Sequence, residues 1–277
     1  METGCRRAIL FLLFSPLFGT GFAQTETPVK VDKPLKSYSH WYFGAEYGVP
    51  FLFGDFTSFS ADKTYVGSQF GGFAGYQVNS WIGIEASART GYTRMGAKSY
   101  AGDYLMNADG MTYYTNQDFN TWKYKDVFSK VHFTNIGLQM NLNVNNFFGP
   151  NRGNRRWTVL LSPAVYAQHF STELINKADK SPLSGKKTDK WNIGIGGDVS
   201  LRYKISRAFD VQLRTGIIWV NNNKMDGIST LIKSKDHFMT SAGLSLIWKV
   251  GKKKEDNVLY ASRRAADVEI RYIEERA

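Results

Sequence analysis

The chain has 277 residues, a net charge of +11, 15% aromatic residues, 26 glycines and a single cysteine, Cys5. No run of about 18 apolar residues occurs after the N-terminal stretch, which excludes a helical membrane protein. One cysteine excludes an internal disulfide, and the positive charge is not gathered on a basic helix, so no nucleic-acid partner is expected.

The N-terminus has the pattern of a secretion signal. Arg6 and Arg7 precede an apolar run over 8–22, and the small residues Gly21 and Ala23 lie shortly before Gln24. The run is shorter than the roughly 20 residues that a membrane helix needs, which favours cleavage over anchoring. The sequence therefore predicts a signal peptide over 1–23 and a mature chain without a thiol.

Eight segments then alternate apolar and polar residues, with connections that run long, short, long, medium, long, short, long. Such alternation is typical of strands with one face toward lipid and the other toward a lumen, and bacterial barrels keep their turns short on the periplasmic side. The predicted fold is all-β, an eight-stranded antiparallel up-and-down transmembrane β-barrel. Its strands are expected at 41–49, 66–78, 82–89, 134–144, 157–167, 191–205, 209–219 and 238–250.

The same pattern predicts the domain organisation. A linker over 24–38 precedes a barrel over 39–250, and a tail over 251–277 follows it. An even number of strands returns the chain to the side from which it started, so the linker, the tail and both termini are predicted to be periplasmic.

The strand register is predicted from the turn at 79–81, which pairs Val78 with Ile82 and keeps both faces consistent. Gly75 then lies opposite Glu85 and Gly71 opposite Arg89, so that each glycine makes room for a long charged side chain. Pro163 interrupts the fifth strand and predicts a bulge there.

Aromatic residues end the apolar segments at spacings that match a lipid-facing band of roughly 25 Å. The alternative is a soluble sandwich with these aromatic residues in its core. The periplasmic belt is predicted to contain Trp41, Tyr76, Trp157, Tyr203, Phe209 and Trp248, and the outer belt Tyr92, Trp191, Trp219 and Phe238.

The inward positions carry three acidic and three basic residues, and an eight-stranded barrel leaves an interior that side chains can fill. Two interpretations use the same residues: the charges satisfy one another in a sealed lumen, or they gate a narrow pathway. The predicted lumen charge network consists of Glu46, Glu85, Arg89, Asp198, Arg202 and Arg214.

The last strand carries a polar residue, a glycine, a hydrophobic residue and a final aromatic residue at Ser241, Gly243, Leu246 and Trp248. This stretch resembles the barrel-assembly signal of the small OmpA-type outer-membrane β-barrels, particularly those of Bacteroidetes-like bacteria. The resemblance implies a Gram-negative outer membrane and insertion by the barrel-assembly machinery. The chain departs from the family at 251–277, which is too short for the peptidoglycan-binding domain that often follows the barrel.

The external loops contain tyrosines among small polar residues, a composition suited to adaptable binding surfaces. They predict contact with an unknown extracellular ligand, or else aromatic packing on strands that continue above the membrane. The candidates are Tyr100, Tyr104, Tyr113, Tyr114, Trp122 and Tyr124. A basic rim is expected to touch lipopolysaccharide phosphates through Arg94, Lys98, Lys186, Lys187 and Lys190.

No catalytic set emerges from the four histidines, His40, His132, His169 and His237, and no cofactor or metal site is expected. The glycines at 194, 196 and 197 continue as a strand and not as a phosphate loop. The sequence thus predicts a monomeric, non-enzymatic barrel with a structural or surface-interaction role. A narrow channel and a lipid-modifying enzyme are the alternatives.

Overall fold

Extended strands make up most of the computed structural model, which describes residues 38–54, 56–97, 123–148, 155–183, 188–220, 225–227, 237–252 and 255–261, all within one compact unit. The helical elements of these ranges are one short α-helix, Val144–Phe148, and two 3-10 turns, Tyr124–Asp126 and Val258–Tyr260. None of the described helices has the length and apolar character needed to cross a membrane. The strands are β1 (Tyr38–Ser39), β2 (Trp41–Phe53), β3 (Phe56–Thr57), β4 (Ser68–Gln77), β5 (Ile82–Ala97), β6 (Val127–Asn143), β7 (Trp157–Asn176), β8 (Thr188–Lys204), β9 (Phe209–Val220), β10 (His237–Lys249) and β11 (Asp256–Asn257).

Eight of these strands form a closed antiparallel wall in the order β2, β4, β5, β6, β7, β8, β9, β10, and β10 pairs with β2 to complete the ring. Each strand pairs with its sequence neighbour in the wall, so the predicted eight-stranded up-and-down barrel is confirmed. The short β3 was not predicted. It extends the wall between β2 and β5 by pairing Phe53 with Thr57 and Phe56 with Ala97.

The predicted register between β4 and β5 is confirmed. Gly75 lies opposite Glu85 and Gly71 opposite Arg89, and the turn closes with a hydrogen bond of 3.0 Å from the Val78 amide to the Ile82 carbonyl. At Gly75 the close approach is essential, because a Cβ atom there would lie 2.0 Å from Cζ of Tyr42.

The predicted bulge at Pro163 is wrong. Pro163 lies opposite Gly197 within an unbroken β7–β8 register. Toward β6, pairing stops at Ala164 and resumes at Leu161 in the same register, so no extra residue is inserted. Proline lacks an amide hydrogen and removes ladder hydrogen bonds, and here the wall tolerates that loss without changing register.

The outer wall is apolar, and its large side chains are exposed: Ile193 is 79% exposed and Trp219 is 59% exposed. Aromatic pairs lie at both ends of this band, with ring centres 4.5 Å apart for Trp157 and Tyr203 and 4.5 Å apart for Phe53 and Phe238. A soluble sandwich would bury these groups in its core. An apolar band between aromatic belts is the surface that a barrel presents to lipid.

The lumen is filled and changes character along its length. We call the two ends the turn end, where β4 joins β5 and β8 joins β9 through short turns, and the loop end, opposite it. Polar and charged side chains occupy the centre. Toward the loop end they give way to a buried apolar cluster, the outer plug, which consists of Leu52, Phe56, Met95, Ala97, Val127, Val131, Phe133, Phe170, Met225 and Met239.

Candidate functional site

The centre of the lumen holds an ion-pair network in which two arginines meet three carboxylates. Alternation places Glu85 and Arg89 on the inner face of β5, Asp198 on that of β8, and Arg214 on that of β9, because residues two apart share a face. Each of these side chains is at most 3% exposed. Burial of this depth requires that every charge has a partner.

Arg214 links all three carboxylates. Its Nη2 lies 2.7 Å from Oε1 of Glu85, its Nε lies 3.5 Å from Oε2 of Glu46, and its Nη1 lies 3.7 Å from Oδ2 of Asp198. The guanidinium also lies over the ring of Phe73, 4.7 Å from its centre. The nearest carboxylate is therefore Glu85, across the lumen, and not Asp198 on the neighbouring strand.

Arg89 is the second bridge. Its Nη2 donates to Oδ2 of Asp198 at 3.0 Å, and its Nε lies 3.3 Å from Oε1 of Glu46. Tyr166 also donates to Asp198, at 3.5 Å. The two arginines therefore share two of the three carboxylates, which makes the network cooperative.

Neutral groups complete the shell around Glu85. Tyr42 donates to Oε2 at 2.9 Å, Gln139 to Oε1 at 2.9 Å, and Asn141 to Oε2 at 3.1 Å. Asn141 in turn accepts a hydrogen bond of 2.6 Å from Ser162. The three donors to Glu85 come from two further strands, β2 and β6, and Ser162 adds a third strand, β7, through Asn141.

Arg202 lies apart from these ion pairs, which differs from the predicted six-residue network. Its guanidinium lies over the Tyr42 ring, 4.8 Å from the centre, and its Nε donates to Gln212 at 2.8 Å. No described carboxylate forms an ion pair with it. Cation–π contact and one amide therefore hold this buried charge in place of a carboxylate.

The loop end is closed by the outer plug together with a short described part of the β9–β10 connection, 225–227. Met225 packs into the plug, and its carbonyl accepts a hydrogen bond of 2.7 Å from Thr172. Asp226 accepts from the Phe56 amide at 3.1 Å and lies 3.4 Å from Nε2 of His237. Gly227 has a φ of +81°, a conformation that favours glycine. The sequence pattern did not predict this apolar closure.

The turn end is closed by the tail segment, residues 255–261, whose role the sequence did not indicate. Tyr260 donates from its hydroxyl to Oδ2 of Asp210 at 2.7 Å, and Lys249 also pairs with Asp210. Burial, followed by the negative charge of Asp210, raises the pKa of Tyr260 above its ordinary value of 10.0. Inward parity on β9 and β10 was the available signal for Asp210 and Lys249.

The assembly-signal residues lie on β10. Gly243 faces the lumen, where a Cβ atom would lie 3.1 Å from the Tyr47 carbonyl oxygen. Leu246 and Trp248 face outward, 54% and 51% exposed, and Ser241 lies opposite Pro50 at the β2 seam.

The external-loop and rim candidates are only partly covered. Tyr124 begins a 3-10 turn, Arg94 extends outward over the Phe128 ring at 5.8 Å, and Lys190 is exposed. Eight of these candidates lie outside the described residues: Tyr100, Tyr104, Tyr113, Tyr114, Trp122, Lys98, Lys186 and Lys187.

One titratable pair lies on the outer wall near the loop end. Nε2 of His169 contacts Oδ1 of Asp189 at 2.5 Å, and the His169 ring lies 4.9 Å from that of Trp191. Ser171 lies opposite Asp189, but its Oγ bonds to no described residue, so no nucleophile–base contact is formed. Within the described ranges, no three His, Cys, Asp or Glu side chains are grouped as a metal site would require.

The sequence matches no family model, and no curated protein matches it. Similar solved structures include Neisserial surface protein A (12% identity, 76% of this chain and 97% of that chain, TM-score 0.43) and Ail, the attachment invasion locus protein of Yersinia pestis (10%, 77% and 100%, 0.41). A third is a major outer membrane protein from Thermus thermophilus (10%, 76% and 99%, 0.43). At these identities the likeness concerns the fold alone.

Proposed function

We propose that this chain is a sealed outer-membrane β-barrel of a Gram-negative bacterium, with both termini in the periplasm, whose role is structural or is exerted through its long external loops. The observation that carries the proposal is the filled lumen. An ion-pair network at the centre, the outer plug on one side and the tail segment on the other block the barrel at three levels. Such an interior suits an anchor and leaves no room for a solute.

The membrane location is supported by the outer wall. Burying apolar surface contributes about 25 cal/mol per Å², and side chains such as Ile193 and Trp219 are buried only if lipid surrounds the wall. Closure of the ring leaves no unpaired strand edge, which the hydrocarbon region requires. Cell fractionation should recover the protein with the outer membrane, and recovery as a soluble periplasmic protein would contradict the proposal.

Conductance tests the sealed lumen directly. Purified barrel inserted into planar bilayers should show no steady conductance, because the central charges are paired and buried. A variant with Arg89→Ala, Glu85→Ala and Arg214→Ala together removes the centre and serves as the comparison for what an emptied lumen conducts. Large stable openings in the unmodified protein would favour the narrow channel instead.

The partners we propose are outer-membrane lipid, lipopolysaccharide, the barrel-assembly machinery and an extracellular ligand that the tyrosine-rich loops contact. Support for lipopolysaccharide comes from Arg94 and Lys130, two outward cations that lie directly opposite each other on β5 and β6. Like charges in this arrangement repel. Glu173 of β7, opposite Lys130 on its other side, offsets part of this repulsion, and a phosphate beside Arg94 would offset the rest.

Charge reversal tests this partner. Arg94→Glu with Lys130→Glu should lower the amount of lipopolysaccharide that copurifies, most clearly at low salt, where screening is weak. Lys252→Glu at the opposite end of the barrel is the matched control, because Lys252 is exposed and distant from the loop end. Equal copurification for the three proteins at both salt levels would contradict lipopolysaccharide contact at this rim.

A further inference from the structure

The barrel has one seam, where its first and last wall strands meet. β10 pairs with β2 from Phe238 opposite Phe53 to Lys249 opposite Tyr42. All other wall strands pair with a neighbour close in sequence, whereas this pairing joins the two ends of the wall. Of all pairings in the wall, the seam therefore joins the most distant segments of the chain and closes the largest loop.

A second pair of strands joins the two sides of this seam at the turn end. β1, which precedes β2, pairs in parallel with β11, which follows β10, so that Tyr38 lies opposite Asp256 and Ser39 opposite Asn257. The reversal between β10 and β11 is held by the Lys252 amide, which donates to Oε2 of Glu255 at 3.0 Å.

The tail segment then inserts into the open turn end. Val258 and Leu259 are each 2% exposed, and Tyr260 is 8% exposed. Leu259 packs on Leu160 of β7, and Asn257 caps the 3-10 turn by accepting from the Leu259 amide at 3.0 Å. The segment is therefore docked in the mouth of the barrel.

Charged groups on three wall strands hold this docked segment. The amine groups of Lys204 and Lys249 lie 4.8 and 4.9 Å from the centre of the Tyr260 ring, on β8 and β10. Lys204 also pairs with Asp256 at 2.9 Å, and the Tyr260 hydroxyl donates to Asp210 of β9. Each attachment joins the tail to a different part of the wall.

We propose that residues 255–261 are a seam latch, a segment that binds a receptor site at the turn end and holds the barrel closed. The receptor site is complete only in the closed barrel, because β1 lies on one side of the seam while Asp210 and Lys249 lie on the other. A segment that binds the folded state alone stabilises it. Because the latch adds contacts after closure, its loss accelerates unfolding and leaves folding unchanged. This role is independent of whether the lumen conducts.

The unfolding rate of the full-length mature chain in detergent micelles, measured after a jump into urea, tests the latch. Tyr260→Phe keeps the ring but removes the hydrogen bond to a buried carboxylate, and should accelerate unfolding about tenfold or more, the effect of losing a bond to a charged group. A chain that ends at Gly251 should unfold faster still. Tyr76→Phe is the control, because Tyr76 lies at the same end but on the outer wall.

Rescue in trans distinguishes a docking site from a general effect of truncation. A synthetic peptide with the sequence of residues 252–261, added in excess to the truncated barrel, should slow its unfolding, and the same peptide carrying Tyr260→Phe should do so less. Unfolding of Tyr260→Phe at the unmodified rate would overturn the proposal, even if the truncated chain cannot be refolded. A truncated chain that unfolds at the unmodified rate would overturn it equally.

Discussion

Arg214→Ala is the most informative single perturbation of the lumen. The substitution removes one ion pair of 2.7 Å and two longer ones from side chains that are at most 3% exposed. Removing one partner of a buried ion pair costs about 3–5 kcal/mol, because the other charge stays buried without compensation. Glu85 keeps three neutral donors and Arg89 still serves the other two carboxylates, so we expect a loss near the lower end, about 3 kcal/mol.

The loss is measured by urea titration in detergent micelles, followed by tryptophan fluorescence, with heat modifiability on a detergent gel as a second readout. Combining Arg214→Ala with Glu85→Gln removes both charges, and should cost less than the sum of the single substitutions by about 0.5–3 kcal/mol. Arg214→Lys keeps the charge but loses the simultaneous contacts, and should fall between the unmodified protein and Arg214→Ala.

Two results would refute this reasoning. A loss below about 0.5 kcal/mol for Arg214→Ala would place it in the range of ordinary surface substitutions, and the network would then contribute little. Additive effects of Arg214→Ala and Glu85→Gln would show that the two side chains are not energetically coupled in the lumen.

Three further predictions use the same titration. Gly75→Ala should lower the free energy of unfolding by about 1–3 kcal/mol, because its Cβ overpacks against Tyr42. Gly72→Ala should change it by no more than about 0.5 kcal/mol, because its Cβ would have its nearest neighbour at 3.5 Å. Equal losses for the two variants would contradict the close packing at Gly75. Phe170→Ala should cost about 3–5 kcal/mol because Phe170 is completely buried in the outer plug, and a small loss would argue against that plug. Because the pKa of Tyr260 is raised on folding, the folded state keeps a proton that the unfolded state loses near pH 10. The stability that Tyr260 adds relative to Tyr260→Phe should therefore be present below about pH 10 and decrease above it. A stability difference that grows at high pH would contradict this.

The wall could be predicted from the sequence because each strand repeats the same two-residue period. On β6, outward Ile136 and Leu138 alternate with inward Asn135 and Gly137 without exception, and the same parity places Glu85, Arg89 and Asp198 in the lumen. Parity assigns a face but not a partner. Arg214 meets Glu85 across the lumen, and such a contact depends on the curvature of the closed ring.

The outer plug could not be predicted because the predicted strands stop short of the loop end. The outward face of β6 becomes polar at Lys130, and its inward face becomes apolar at Val131 and Phe133. The period is unchanged, but the two faces exchange character above the apolar band. A strand bounded by its outward apolar residues begins at Thr134, whereas the observed β6 begins at Val127.

The tail segment could not have been predicted for a different reason. Seven residues are too few to show a period, and Asp210 and Leu160, which contact Tyr260 and Leu259, lie 50 or more positions earlier in the chain. The available signal was the inward position of Asp210 on β9, which indicates a buried carboxylate at the turn end that needs a hydrogen-bond donor.

The wall strands have unequal lengths, so the rim at the loop end is a slope. β5 and β7 continue to Ala97 and Asn176, whereas β9 ends at Val220 and β10 begins at His237. Ala97 lies five residues beyond Tyr92, the predicted outer-belt residue of β5. At the usual rise and tilt of barrel strands, the end of β5 is therefore roughly 13 Å above that belt. Residues 225–227, between β9 and β10 in the chain, lie against the inner side of the high strands, where Thr172 of β7 donates a hydrogen bond to the Met225 carbonyl. Among the described residues, the ends of β5 and β7 therefore project furthest, so a molecule that approaches the barrel from the loop end meets these strand ends before those of β9 and β10.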